Sequence, residues 1–307
     1  MGAAAVPWAW ADKQALVASA DVVLAISNSG ESDELAAILP AMRRIGVTLD
    51  KRSLDLTDAL GVDTTAWPPV QMVQLIADFE RRMDGITRHP KVREIDLTAV
   101  RLDVPIEWPN KLLAYPVNYV KHGEEMKSTN RADRNGFFLK ANSSLSGPRD
   151  DIVLPDLPGR EIHHECELGI VIGRQGKHIT RENALDHVFG YACLIDMVVR
   201  GNEERVMRKS YDTFCPFGPW ITTADEVTDP NRLQARLWVN DVLKQDANTR
   251  DLIVDIPEMI VVASRVATLY PGDIIATGTP EGVGPVVRGD RIRIAIEQVG
   301  EMTIQVR

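Results

Sequence analysis

Cysteine is scarce in this chain: three residues, Cys166, Cys193 and Cys215, among 307. So thin and odd a set builds no disulfide framework, and two of the three lie in apolar runs, where a thiol serves as a small buried hydrophobe. A reducing cytoplasm is the expected compartment. No apolar stretch reaches the 18 residues of a membrane span, and no basic leader precedes an apolar core at the start, so neither an anchor nor a secretory signal is expected. Positive charge is outweighed. With 35 Lys and Arg against 44 Asp and Glu, the formal net charge of -9 argues against nucleic acid or an anionic membrane as partner. Cys–His zinc spacings, internal repeats and low-complexity tracts are also missing.

What is present is an ordinary globular composition, in a chain long enough for one large domain and a smaller annex. Ala20 to Ile26 reads as a buried strand, and Ser27 to Glu34 then turns into an amphipathic helix running through Ile38 and Met42. That strand, Ser/Gly loop and helix resemble a fragment of a sugar isomerase (SIS) domain, in which Ser27, Ser29 and Ser32 would bind a sugar phosphate. The bland alternative is a capped helix lying on the larger domain. Gly46 to Leu56 alternates around a polar turn, as a hairpin would, and helical spacing returns from Val70 to Met83. The Pro-bounded segment Ile106–Pro109 marks a junction near residue 105. Beyond it, short Val/Ile runs alternate with Gly, Pro and Asp turns, and Arg and Ile alternate from Arg291 to Ile296. Residues 106–307 therefore read as a mostly β domain, preceded by a smaller annex whose first 44 residues are atypical.

Two carboxylates one residue apart, Glu165 and Glu167, adjoin the apolar run ending in Ile170-Val171-Ile172. On a strand, residues i and i+2 share a face, so both point into one site. Like charges on a half-buried face repel and desolvate badly unless a cation joins them. A third acid, Asp196, sits inside the apolar run Tyr191–Val199. Acids on strand-like segments point to a hard divalent cation held by oxygen. His122 and Glu125, three apart, share one face of a helical turn, where the carboxylate would orient the imidazole as a general base for water. A solvated surface pair is the other outcome.

Four segments in order, Asn118–Met126, His164–Leu168, Lys209–Trp220 and Pro271–Gly284, together resemble the fumarylacetoacetate hydrolase family. The first is nearer its short acylpyruvase-like members. The resemblance runs from about residue 105 to the C-terminus. It implies an α+β architecture, with a mixed β-roll or sandwich catalytic domain over 105–307 and a small N-terminal α/β annex over 1–104, a homodimer, and Mg²⁺, with Mn²⁺ or Ca²⁺ as alternatives. It also implies metal ligation by Glu165, Glu167 and Asp196, although Ile195 stands where the family commonly has Asn. Catalysis falls to His122, Glu125 and Lys209, and substrate contacts fall to Tyr119, Lys140, Arg200, Gln245 and Thr279. Glu203 joins those contacts as a departure, since the family commonly has Gln there. The Thr277–Gly284 loop lacks the Gly-Lys-Ser/Thr ending of a phosphate cradle, so it is read as presenting Thr279 and backbone amides to substrate.

The expected activity is metal-dependent hydrolysis of a C–C bond in an acylpyruvate, fumarylpyruvate or fumarylacetoacetate-like acid, through a metal-stabilised enolate and a water activated by His122. Decarboxylation or keto–enol isomerisation of a 2-oxo dicarboxylic acid at the same site is the alternative. A sugar-phosphate-binding protein comes third.

Overall fold

The apolar runs Cys166–Ile172 and Val188–Ile195 pair antiparallel, side by side, within the main sheet of the computed structural model, which describes residues 22–28, 42–49, 52–63, 68–83, 86–95 and 101–307. Both strands are apolar at nearly every position because both faces of the sheet are covered. Cys166, Leu168, Ile170 and Ile172 join one buried cluster; Val171 joins another, with Ala192 and Leu194. The sheet order is Arg93–Glu94, Arg52–Asp55, Met42–Leu49, Val22–Asn28, Cys215–Thr223, Val188–Ile195, Cys166–Ile172, Ile274–Ala276, Leu112–Ala114, Phe138–Lys140. Along this order only the Ile274–Ala276 and Leu112–Ala114 pair is parallel.

One face is closed by the helix Gln71–Ala77, whose Met72, Leu75 and Ile76 at i, i+3 and i+4 share a cluster with Val171, Leu194 and Phe217. The other face is closed by the helix Ile256–Val266 and by a second sheet, ordered Val242–Asn248, Gln234–Val239, Arg291–Ile296, Gly300–Gln305. Asp255 caps that helix by accepting the Glu258 N–H, with a proline in the first turn. Ile292, Ile294 and Ile296 are buried while Arg291 and Arg293 turn outward, as the period-two pattern required. The result is the expected α+β sandwich.

In the annex the expected hairpin forms between Met42–Leu49 and Arg52–Asp55, with Thr48 opposite Ser53. The expected helix forms as Gln71–Ala77 and Phe79–Met83. Met42 was expected on a helix and instead opens a strand that pairs with Val22–Asn28, because the Ile45–Leu49 run that follows suits a ladder better than a helix. Ser27 lies on that first strand; Ser29, Ser32 and Ile38 lie outside the described residues. Val22 pairs with Thr222 and Val23 with Ile221, so one sheet is continuous across the junction read near residue 105.

Close approach fixes Gly190. A Cβ there would lie 2.2 Å from the Thr222 carbonyl oxygen of the neighbouring strand, and backbone cannot rotate away. Gly190→Ala should therefore cost at least the ~1–3 kcal/mol typical of overpacking. The expected readout is a lower urea midpoint at unchanged slope.

Candidate active site

The register of the two central strands brings the acids together. Cys166 pairs with Ile195 and Glu167 with Leu194, and one step further the Asp196 N–H donates to the Glu165 carbonyl at 2.9 Å. Glu165 sits in the break between the strands Ile162–His164 and Cys166–Ile172, and Asp196 just past the end of Val188–Ile195. All three acids are buried, and one oxygen from each lies within 4.8 Å of the others.

Two lysines enter the same space. Lys209 Nζ donates to Glu165 Oε2 at 2.7 Å and to Asp196 Oδ2 at 2.5 Å. Lys140 Nζ donates to Asp196 Oδ1 and to the Phe214 carbonyl. Burial opposes ionisation of Glu165, but Lys209 and His122 overcome it and hold the carboxyl at about 2. Burial likewise opposes the charge on Lys209, which Asp196 and Glu165 more than restore. Glu167 receives neither lysine. Its Oε2 accepts the Gly278 N–H at 2.7 Å, and burial and the Asp196 charge push its proton affinity well up. Gly278 reaches it at φ +90°, where a Cβ would lie 2.7 Å from Asn118.

Lysines against these acids would exclude an ion only if they used every acceptor. They do not: a carboxylate oxygen has two lone pairs, and Glu167 stands outside both ammonium contacts. The two ammoniums pair with Glu165 and Asp196 and leave Glu167 without a charged partner, in a buried all-oxygen set. The residues present fit a divalent cation.

A cavity of about 130 Å³ opens onto the triad and is also lined by His122, Arg200, Lys209, Thr279, Arg205 and Arg208. A wider cleft of about 950 Å³ beside Arg181 and Asp255 carries none of the expected site residues. His122 Nδ1 donates to Glu125 Oε2 at 3.1 Å, and Glu125 Oε1 accepts the Gly282 N–H. Arg200 Nε donates to His163 Nδ1, while its Nη2 is buried without a partner among the described residues.

Four expected substrate contacts do not line this cavity. Tyr119 is buried ahead of the helix Val120–Glu125, its hydroxyl proton held tightly by burial. Lys140 is consumed by Asp196 and Phe214. Gln245 is a tie: its Oε1 accepts from Cys166 N–H and His164 Nδ1, and its Nε2 donates to Thr279 Oγ1 and the Pro280 carbonyl. Glu203 turns outward into a two-bond fork with Arg160, at 2.8 and 2.9 Å, so its charge is spent away from the cavity. Sequence reasoning also passed over His164, which is fully buried with its proton affinity lowered to about 4 by desolvation. Arg205 and Arg208 were passed over as well; their only signal was the spacing ahead of Lys209.

A family model described as fumarylacetoacetate (FAA) hydrolase C-terminal matches residues 111–307. The chain belongs to the fumarylacetoacetate hydrolase family. It is 41% identical over 277 residues to maleylpyruvate hydrolase of Aquipseudomonas alcaligenes, covering 86% of this chain and 96% of that one. A crystal structure of maleylpyruvate hydrolase from Sphingobium sp. SYK-6, in complex with manganese(II) ion and pyruvate, is 52% identical, with TM-score 0.79 over 93% of this chain and 98% of that one. A human mitochondrial oxaloacetate tautomerase is 37% identical over 209 residues, 64% of this chain and 66% of that protein. These likenesses bear out the expected family, fold and enzyme class, a hydrolase of C–C bonds. No helix among the described residues is long and apolar enough to cross a membrane.

If the triad holds an ion, Mn²⁺ at a hundred times its Kd should stabilise the fold by about 2.7 kcal/mol. Glu167→Gln removes the carboxylate that no lysine neutralises and should abolish that gain. Thermal melts with and without Mn²⁺ measure both.

Proposed function

We propose that this enzyme hydrolyses the C–C bond of a small β-dicarbonyl acid, an acylpyruvate such as maleylpyruvate or fumarylpyruvate first, with fumarylacetoacetate-like acids in the same class. One observation carries the reading: the His122 imidazole, oriented by Glu125, opens onto the same small cavity as the three carboxylates. Likeness to maleylpyruvate hydrolases of Aquipseudomonas alcaligenes and Sphingobium sp. SYK-6 supports it. Glu165, Glu167 and Asp196 would hold a divalent ion, Mg²⁺ in this reading, with Mn²⁺ or Ca²⁺ able to replace it. When bound, such an ion supplies Lewis-acid polarisation to the adjacent oxygens of a 2-oxo acid.

The chain's own groups do the rest. A carboxylate oxygen only accepts, so His122 carries hydrogen on Nδ1 and presents a free Nε2. Nε2 takes a proton from water as the oxygen attacks the acyl carbonyl remote from the 2-oxo acid. The bond from that carbonyl to the pyruvyl methylene then breaks, and its electron pair stays with the pyruvyl carbon. The proton held by His122 goes to that carbon, giving pyruvate and the free acid. Lys209 has three hydrogens and spends two on Glu165 and Asp196, so the third serves the developing negative oxygen. Arg200, with its unsatisfied Nη2, and Thr279 receive the pyruvyl carboxylate.

Keto–enol isomerisation of a 2-oxo dicarboxylic acid is the second reading, favoured by the oxaloacetate tautomerase relative. It needs no attacking water. His122→Ala should lower kcat/KM for acylpyruvate hydrolysis about 10²–10⁴-fold while Mn²⁺ affinity holds. Enol-oxaloacetate turnover that survives this change, in an enzyme inert to every acylpyruvate, would overturn the hydrolase reading.

A further inference from the structure

The helix Arg205–Lys209 places Arg205, Arg208 and Lys209 at i, i+3 and i+4, on one face, and all three line the cavity. On the opposite side Val206 and Met207 are 43% and 67% exposed. The loop leading into this helix is anchored by the Arg160–Glu203 fork, and Arg160 Nε also donates to the Arg200 carbonyl at 2.6 Å. Arg208 Nε donates to the Glu203 carbonyl at 2.8 Å and its Nη1 to the Val199 carbonyl at 3.3 Å. Arg205 lies 5.2 Å over the Phe138 ring and, among the described residues, has no hydrogen bond or ion pair.

Among the described residues neither Arg205 nor Arg208 forms an ion pair with an acid. Glu165 and Asp196 are engaged by lysines, Glu167 by the Gly278 amide, and Glu203 by Arg160. Burial and the nearby charges of Arg205 and Arg200 accordingly lower the proton affinity of Arg208. The pyruvyl end of a substrate would occupy the triad, Lys209, Arg200 and Thr279, which leaves two forked cations toward its acyl end. We infer that Arg205 and Arg208 hold a second carboxylate at the far end of the acyl group, making the enzyme selective for dicarboxylic over monocarboxylic acylpyruvates. A planar guanidinium matches two carboxylate oxygens at once. The inference rests on the hydrolase reading for the placement of the pyruvyl end.

Calorimetric titration of the Mn²⁺-loaded protein with 2-oxoheptanedioate and 2-oxoheptanoate tests it. These acids differ only in the terminal carboxylate, and neither has a bond this chemistry would cleave. The dicarboxylic acid should bind about 10- to 100-fold more tightly, or roughly 1.4–2.8 kcal/mol. In the Arg205→Gln/Arg208→Gln variant the preference should fall to near unity. Equal binding of the two acids by the unsubstituted protein, or a preference that survives the double substitution, overturns the assignment. If losing the Arg208 carbonyl bonds prevents folding, Arg205→Gln alone decides, because that side chain touches only a ring: the preference must drop several-fold. Failure to cleave any acylpyruvate, with the preference and its loss intact, would sink the hydrolase reading and leave the arginine assignment standing.

Discussion

One buried carboxyl without a charged partner, beside two that have one, governs this site. Buried charges are tolerated only when paired and hydrogen-bonded, and here one carboxyl lacks that pairing. Lys140 and Lys209 satisfy Asp196 and Glu165, and the single amide offered to Glu167 leaves its proton affinity high. A third lysine could have closed the account, but it would also have filled the cavity. A small ion can meet the same deficit and keep coordination positions open for a ligand.

The register that creates this arrangement is held from outside. Gln245 comes from the second sheet and ties the Cys166 amide to the Thr279 side chain, so the carboxylate strand and the Gly-rich loop move as one piece. Thr277 adds a second tie, accepting the Leu168 N–H at its hydroxyl while its own N–H donates to the Leu168 carbonyl. Asn118 reaches from the first motif to the Thr277 and Val254 carbonyls. Segments more than a hundred residues apart in sequence are thus fixed by neutral amides, whose hydrogen bonds do not titrate.

Much of this was legible in the chain. Acids inside apolar runs stand out because their burial needs a reason, and the three-residue spacing of His122 and Glu125 became the hydrogen bond it implied. Side-chain direction was not legible. Residue type marked Lys140, Gln245 and Glu203 as polar groups near the site, yet each is consumed by a neighbour distant in sequence that no local pattern reveals. Arg205 and Arg208 were missed for the opposite reason. Arginines ahead of a lysine look like a solvated helix end until the tertiary fold turns that face inward. Met42 was assigned to a helix because apolar spacing alone does not separate a short helix from a strand that pairs over a long range.

The strand Val22–Asn28, paired through Val22 and Val23 with Thr222 and Ile221, has a role unrelated to chemistry. Without it the main-chain groups of Ile221 and Thr222 would form an open ladder, able to recruit a stray strand from another molecule. Backbone pairing depends little on which side chains the covering strand carries. Guarding that border therefore constrains the extended backbone at Val22 and Val23 more than the residue types that supply it.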